Sequence, residues 1–131
     1  MESDMETVYE AMIPIEPRTK KNHQQIFKRK GGGHFVAPSP QYRQYEQDAM
    51  WYLRPKGIDF PVNVKCLFYM GTRRKVDLTN LLEAIDDIMV KRTTLTDDNS
   101  SIIVAHDGSR VLYDKENPRT EIYITRMQED G

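Results

Sequence analysis

Apolar and polar residues alternate most regularly between Pro61 and Met70. Because successive side chains of a strand point to opposite faces of a sheet, this alternation predicts a β-strand with one buried face. The residues expected on that face are Val62, Val64, Cys66, Phe68 and Met70. Shorter apolar stretches predict four more strands, at Val8–Ile15, Ser101–Ala105, Arg110–Tyr113 and Glu121–Met127. The predicted strands Ser101–Ala105 and Arg110–Tyr113 flank an Asp-Gly turn, which favours a hairpin.

Two other stretches have the three- and four-residue spacing of apolar positions that is typical of helices. The first is predicted to begin at Pro40, with Ser39 as its cap, and to run to Leu53. The second runs from Asp77 to about Arg92 and gathers its apolar residues within an arc of about 120°. These elements predict the α+β class, with a mixed β-sheet covered by two helices.

The length of 131 residues indicates one small domain, residues 1–131, with a modest core. Residues 1–7 are expected to be a tail. Residues 16–33 end in three glycines and are expected to form a mobile basic loop or a loose hairpin anchored by Ile26 and Phe27. Hydrophobic residues are only 38% of the chain, so pairing of two copies in a homodimer would cover apolar surface that one copy leaves exposed.

Basic residues occur in two clusters, although the net charge of −1 argues against a polybasic DNA-coating protein. The first cluster lies in the expected basic loop and contains Arg18, Lys20, Lys21, Lys28, Arg29 and Lys30. The second is Arg73, Arg74 and Lys75. Such clusters are suited to binding phosphates.

Several classes of protein and site are disfavoured by the sequence. The single Cys66 has no partner for an internal disulfide, and no apolar run approaches the length that spans a membrane. The start of the chain lacks the features of a signal peptide, so a reducing cytoplasm is expected. The histidines have no zinc-ligand spacing and are expected on the surface or in turns. Glycine-rich phosphate loops and dinucleotide fingerprints are missing, so no nucleotide cofactor is expected.

Carboxylates share one face of the second predicted helix. Asn80, Glu83 and Asp87 fall within an arc of about 60° opposite the apolar face, with Asp77 at its border. Asp97-Asp98 follows in a loop, and oxygens from a helix and a nearby loop suit a magnesium ion. The residues alone also leave open that Asp77 is only a helix N-cap and that Asp97-Asp98 is only a solvated turn.

Three segments carry a resemblance to a known family. They are PRTKKNH after the first strand, RRKVDLTNLLEAIDDIM, and LTDDNSSI. In order and spacing these segments resemble the RusA family of Holliday-junction resolvases, and the likeness covers most of the chain. The segment DLTNLLEA is similar to a branch common among phage-related members of Gram-positive bacteria.

The resemblance implies a homodimer that binds four-way DNA junctions and makes paired, symmetric cuts with Mg²⁺ or Mn²⁺. It assigns Asp77 and Asp98 as metal ligands and gives Asp87 and Asn80 counterparts in the family. The residues of the two basic clusters, with Asn22 of the Lys-Asn pair, would contact DNA.

Two positions depart from the family's pattern. Thr79 stands where the best-known members have an aspartate, and Glu83 stands where they have a lysine. Because Glu83 adds a carboxylate one turn further along the same side, it is interpreted as a replacement ligand. The lost lysine's role at the phosphate would then pass to Lys75, with Arg74 or Lys21 as alternatives.

The resulting hypothesis is metal-dependent hydrolysis of DNA at Holliday junctions during recombination and repair, with Asp77, Asp98 and Asp87 or Glu83 as metal ligands. One alternative is a catalytically impaired protein of the same fold that binds junctions or has a regulatory role in a phage. Another is a small structural or inhibitor protein whose acidic face contacts a basic partner. Metal-dependent cleavage distinguishes the nuclease from both alternatives. Affinity for a four-way junction distinguishes the impaired junction-binding protein from the structural or inhibitor protein.

Overall fold

The computed structural model of the chain describes residues 6–20, 24–28, 32 and 34–127. Within these ranges it has a five-stranded mixed sheet, a separate two-stranded sheet and two helices, so the predicted α+β class is confirmed. The elements in chain order are β1 (Thr7–Ile13), β2 (Gln24–Lys28), β3 (His34–Pro38), α1 (Pro40–Met50), β4 (Val62–Met70), α2 (Leu78–Lys91), β5 (Ile103–Ala105), β6 (Arg110–Tyr113) and β7 (Arg119–Arg126).

Strand β4 is the centre of the larger sheet. It pairs antiparallel with β7, which in turn pairs antiparallel with β1. The alternation predicted for β4 is confirmed, because Val62, Val64, Cys66 and Phe68 are all fully buried. Burial of Cys66 raises the pKa of its thiol, as expected for a core residue rather than a reactive one.

Helix α1 begins as its sequence predicts. The Ser39 hydroxyl accepts a hydrogen bond from the Tyr42 amide at 3.2 Å and so caps the first turn. The helix ends at Met50, earlier than predicted, because the following residues form tighter turns in which Leu53 N–H donates to Met50 C=O at 3.2 Å. Tyr42 and Tyr45 are buried, which confirms that these tyrosines belong to the core.

The predicted hairpin between β5 and β6 is wrong. Both strands run parallel to β4 along the same edge, so the turn between them offsets the chain without reversing it. At the turn, side chains form the hydrogen bonds that link it to β4. Asn63 Oδ1 accepts from Asp107 N–H at 2.7 Å, and Ser109 Oγ accepts from Cys66 N–H at 3.0 Å. Gly108 sits in this turn at φ +88°, a conformation that glycine adopts without strain.

The smaller sheet is an antiparallel hairpin of β2 and β3. Its first strand lies within the predicted basic loop, whereas β3 lies beyond that loop and was not predicted. The predictions at Lys21, Asn22, Arg29 and Lys30 lie outside the described residues, and for Lys28 only the backbone is described. Mobility of this loop stays a prediction.

Candidate active site

Asp77 lies immediately before the first residue of α2, in an extended conformation with φ −86° and ψ 124°. Among the described residues its carboxylate makes no capping hydrogen bond to a helix amide, so Asp77 does not act as a side-chain N-cap. Its Oδ2 instead accepts from Asn80 Nδ2 at 3.3 Å. The residue is exposed, and the positive end of the helix dipole favours negative charge there. Its carboxylate is therefore placed to bind a cation or to contact a substrate.

A cleft of about 340 Å³ lies between the β1–β2 connection and the connection from β4 to α2, and its lining includes Val76, the residue before Asp77. It is lined by Glu16, Pro17, Arg18, Thr19, Thr72, Arg74, Lys75 and Val76. We call it the basic cleft. Residues from both basic clusters meet in it, although they are far apart in sequence. Glu16 helps to hold the two walls together, since its Oε2 accepts from Gly71 N–H at 2.9 Å.

Arg73 does not line the basic cleft, although it belongs to the same predicted cluster. Its guanidinium carbon lies 3.9 Å from the centre of the Tyr113 ring on β6. Arg73 therefore faces β6 at the edge of the sheet, where it lines a second hollow together with Arg74 and Tyr113.

Asp87 is engaged in ion pairs. Its Oδ2 lies 3.1 Å from Lys20 Nζ and 3.3 Å from Lys91 Nζ. Lys91 also binds Glu46 at 2.8 Å, and this hydrogen bond is the main cause of the raised pKa of Lys91. A metal ion would have to compete with these two ammonium groups for the carboxylate of Asp87. Glu83, the alternative ligand, is exposed on α2.

Asp98 lies at the opposite end of α2 from Asp77. It follows the turn in which Leu95 N–H donates to Met89 C=O at 3.3 Å, and it is exposed. Burial is the main cause of the raised pKa of Asp86, and the charge of Asp98 adds a smaller contribution, in agreement with the place of Asp98 beyond the C-terminal end of the helix. Asp86 lies nine positions after Asp77 in the sequence, which corresponds to about 14 Å along the helix axis.

The predicted metal ligands do not come together within one chain. Among the described residues, no three His, Cys, Asp or Glu side chains are placed to hold a metal ion. The 14 residues of α2 span about 21 Å, with Asp77 directly before its first residue and Asp98 in the chain that follows its last residue. The described residues of a single chain therefore do not gather Asp77, Asp98 and Asp87 or Glu83 around one ion, and their role as metal ligands stays a prediction.

A buried acid that the sequence analysis did not single out lies between these groups. Asp86 is 7% exposed, and its Oδ2 lies 2.8 Å from His106 Nε2. Burial raises the pKa of Asp86, and the hydrogen bond to Asp86 raises the pKa of His106. The helical projection places Asp86 next to the apolar arc, but its partner lies on another element. His106 is in a turn, as predicted, but its ring is half-buried and paired.

The Asp86–His106 pair makes folding stability depend on pH. Both pKa values are raised in the folded state, so the folded chain holds more protons than the unfolded chain. The contribution of His106 is complete below pH about 6.5, its unfolded pKa, and is lost as pH rises through the folded pKa. We expect the urea midpoint of the parent chain to fall between pH 6 and pH 8.5, and Asp86→Asn to flatten this dependence.

Two variants complete this stability test. His106→Ala leaves a buried carboxylate unpaired and is expected to cost about 2 kcal/mol, below the usual range because the ring is partly exposed. Asp107→Asn changes an exposed neighbouring acid and should keep the parent's pH profile. A parent chain whose stability rises over the same pH range would contradict the proposed pair.

Comparison with known proteins decides the family. The sequence profile described as Endodeoxyribonuclease RusA matches residues 14–125, which include the basic cleft, α2 and Asp98. The chain belongs to the RusA family. It is also similar to the crossover junction endodeoxyribonuclease RusA of Aquifex aeolicus (strain VF5), with 29% identity over 122 residues, covering 88% of this chain and 90% of the relative.

Membership of the RusA family confirms that the chain is an endodeoxyribonuclease, as the sequence predicted. Its acids and its basic cleft are therefore parts of a DNA-cutting enzyme. Across the described ranges, the structure has no helix long and apolar enough to cross a membrane.

Proposed function

We propose that this RusA-family enzyme resolves four-way DNA junctions by paired, symmetric cuts that depend on a divalent cation. The observation that carries the proposal is the placement of Arg18, Arg74 and Lys75 in one cleft beside the uncapped carboxylate of Asp77. Cations there can hold the phosphates on either side of a scissile bond, while the carboxylate serves the reacting group. The printed name of the Aquifex relative supports the choice of substrate.

Mg²⁺ is the proposed ion, with Mn²⁺ as a substitute, and Asp77 is its first ligand. Such an ion, when bound, activates water and neutralises charge on the leaving oxygen. Glu83 lies six residues beyond Asp77, about 9 Å along the helix axis, whereas Asp87 lies about 15 Å along it. We therefore favour Glu83 over Asp87 as the supporting carboxylate.

A homodimer is part of the proposal, because Asp77 and Asp98 lie at opposite ends of α2. If two copies pack around a two-fold axis with this helix antiparallel, Asp98 of the partner copy can approach Asp77. The same symmetry gives two equivalent sites, as paired cuts on a four-way junction require. Neither acid has to move within its own chain.

Lys75 is proposed as the cation nearest the reacting phosphate, since it lines the basic cleft only two residues before Asp77. An ammonium group there stabilises the extra negative charge that develops on the phosphate oxygens during hydrolysis. Arg18 and Arg74 line the same cleft and would hold neighbouring phosphates.

An inactive junction-binding or regulatory protein is the second candidate. It is favoured by one observation, that no metal-holding group forms among the described residues of a single chain. Metal-dependent cleavage distinguishes the two candidates. In either case we propose that the chain acts in the cytoplasm of a bacterial host and comes from a phage-related branch.

The basic cleft is tested by binding at several salt concentrations. With Ca²⁺ in place of Mg²⁺ to prevent cutting, Arg18→Gln and Arg74→Gln should each weaken junction binding and reduce the slope of log K against log salt by about 1.8, because the proposed dimer loses one phosphate contact in each of its two sites. Fluorescence anisotropy with a labelled four-way junction measures both quantities. Lys115→Gln removes an exposed cation outside the cleft and is the matched control. Equal slopes for all three variants would remove the basic cleft from the DNA-binding surface.

A further inference from the structure

Trp51 is the most exposed large apolar side chain among those described, at 85% exposure, and it is the only tryptophan in the sequence. It follows the last residue of α1. Together with Gln47, Met50 and Arg92 it lines a hollow of about 140 Å³. The structure that surrounds it is otherwise well packed, since Ala49 and Leu53 on either side are buried.

One cation, Arg92, lines the hollow with this tryptophan, and two more, Arg54 and Lys56, follow it closely in the chain. Arg92 Nε donates to Leu53 C=O at 3.0 Å, and Thr94 Oγ1 donates to Arg54 C=O at 2.7 Å. These bonds hold the segment after Trp51 against the end of α2. Arg54 and Lys56 in that segment are exposed, as is Arg92. We call Trp51, Arg54, Lys56 and Arg92 the Trp51 patch.

The Trp51 patch lies at the same end of α2 as Asp98. The chain just beyond Lys56 pairs with the chain just before Asp98, because Thr96 N–H donates to Ile58 C=O at 3.0 Å. The basic cleft, by contrast, borders the opposite end of the helix beside Asp77. The patch is thus a separate surface from the cleft.

An exposed indole ring with cations around it matches the chemistry of single-stranded or unstacked DNA. The ring offers a face for stacking a base, and the cations bind the phosphates that flank it. Continuous duplex DNA already stacks its bases on one another, so an open base face is found at strand ends and branch points. A four-way junction has such a branch point at its centre.

A second copy of this chain is a poorer occupant for the patch. In a two-fold contact the same patch lies on both sides of the interface, so the cations would face one another around the two tryptophans. Like charges brought together and desolvated in this way oppose association. A negatively charged partner avoids this cost.

We infer that the Trp51 patch is a second DNA contact, in which Trp51 stacks on an unstacked base at the branch point while Arg54, Lys56 and Arg92 bind the adjacent phosphates. The inference rests on the proposed junction substrate. It assigns to Trp51 the recognition of an open branch point, apart from any role in cutting.

The emission of Trp51 reports directly on this contact, because no other tryptophan contributes. The full chain is titrated with a four-way junction in Ca²⁺, and separately with a linear duplex of the same length. We expect the junction to quench the emission and to protect it from iodide, and the duplex to do much less. Emission that stays unchanged when the junction is saturated would overturn the inference. Iodide protection of the protein alone, dependent on protein concentration, would instead identify a second copy as the occupant.

Substitutions give an independent measurement on the same substrates. Trp51→Ala should weaken junction binding about tenfold, while Trp51→Phe keeps an aromatic face and should lose less. Met12→Ala removes another exposed apolar side chain, 49% exposed on β1, and should bind like the parent. Equal weakening of junction and duplex binding by Trp51→Ala would contradict stacking at a branch point. If the parent itself shows no preference for junctions, the proposed function fails; if it prefers and cuts them while Trp51→Ala binds normally, only this inference fails.

Discussion

Replacing Asp77 by asparagine is expected to slow the cutting of a four-way junction by roughly a hundred- to a thousandfold. Asparagine keeps the shape of the side chain and its contact with Asn80, but it removes the negative charge that would hold a divalent cation. Stabilisation by a bound metal is worth several kcal/mol in the transition state, and about 1.4 kcal/mol corresponds to a factor of ten in rate. Single-turnover cleavage of a labelled junction in Mg²⁺ measures the effect.

A second readout separates loss of the metal from loss of DNA binding. Asp77→Asn should bind the junction in Ca²⁺ at least as tightly as the parent, because it removes a negative charge beside the basic cleft. It should also bind Mn²⁺ more weakly, as measured by calorimetry. Asp59→Asn, which changes an exposed acid outside the site, is the matched control. An Asp77→Asn enzyme that cuts at the parent's rate would show that Asp77 is not a metal ligand.

Hybrid dimers of the Asp77→Asn and Asp98→Asn chains are expected to recover a cutting activity that the homodimer of each variant lacks. Asp77→Asn and Asp98→Asn homodimers should each be inactive. In a hybrid of the two variants, one of the two shared sites contains both native acids and the other contains neither. The hybrid should therefore nick one strand of the junction without producing paired cuts. The reason is that Asp77 precedes the first residue of α2 whereas Asp98 follows its last, and the 14 residues of this helix span about 21 Å.

The hybrids are made by co-expressing the two variants with different affinity tags and purifying through both tags. Nicked and fully resolved products are then separated on denaturing and native gels. A hybrid of the parent with Asp77→Asn should also nick a single strand, which controls for assembly. If the hybrid of Asp77→Asn and Asp98→Asn remains inactive while this control nicks, the acids do not combine across the dimer.

Local patterns predicted the main elements of the fold well. The strict alternation along β4 specified its buried face, and Ser39 before Pro40 specified the start of α1, because both signals act between neighbouring residues. The β5–β6 connection was predicted wrongly for a physical reason. An Asp-Gly turn is compatible with a hairpin, but here the Asn63 side chain of β4 accepts from Asp107 N–H and the Ser109 hydroxyl accepts from Cys66 N–H of β4, which keeps both strands on one edge.

The candidate site was predictable only in part, because its geometry depends on distant contacts. Asp77 and the two basic clusters were found from sequence order, but their meeting in one cleft depends on how the β1–β2 connection packs against the connection from β4 to α2. The separation of Asp98 from Asp77 follows from the length of α2, which the sequence did predict. Asp86 was missed since its partner His106 lies 20 residues away on another element.

Cleavage by the parent enzyme tests the central claim most directly. A labelled four-way junction is incubated beside a linear duplex and a flap of matched length, with and without Mg²⁺. We expect the enzyme to make paired cuts in the junction that require Mg²⁺ and to leave the duplex and the flap largely intact. Binding of the junction without any metal-dependent cut, or equal cutting of all three substrates, would contradict it.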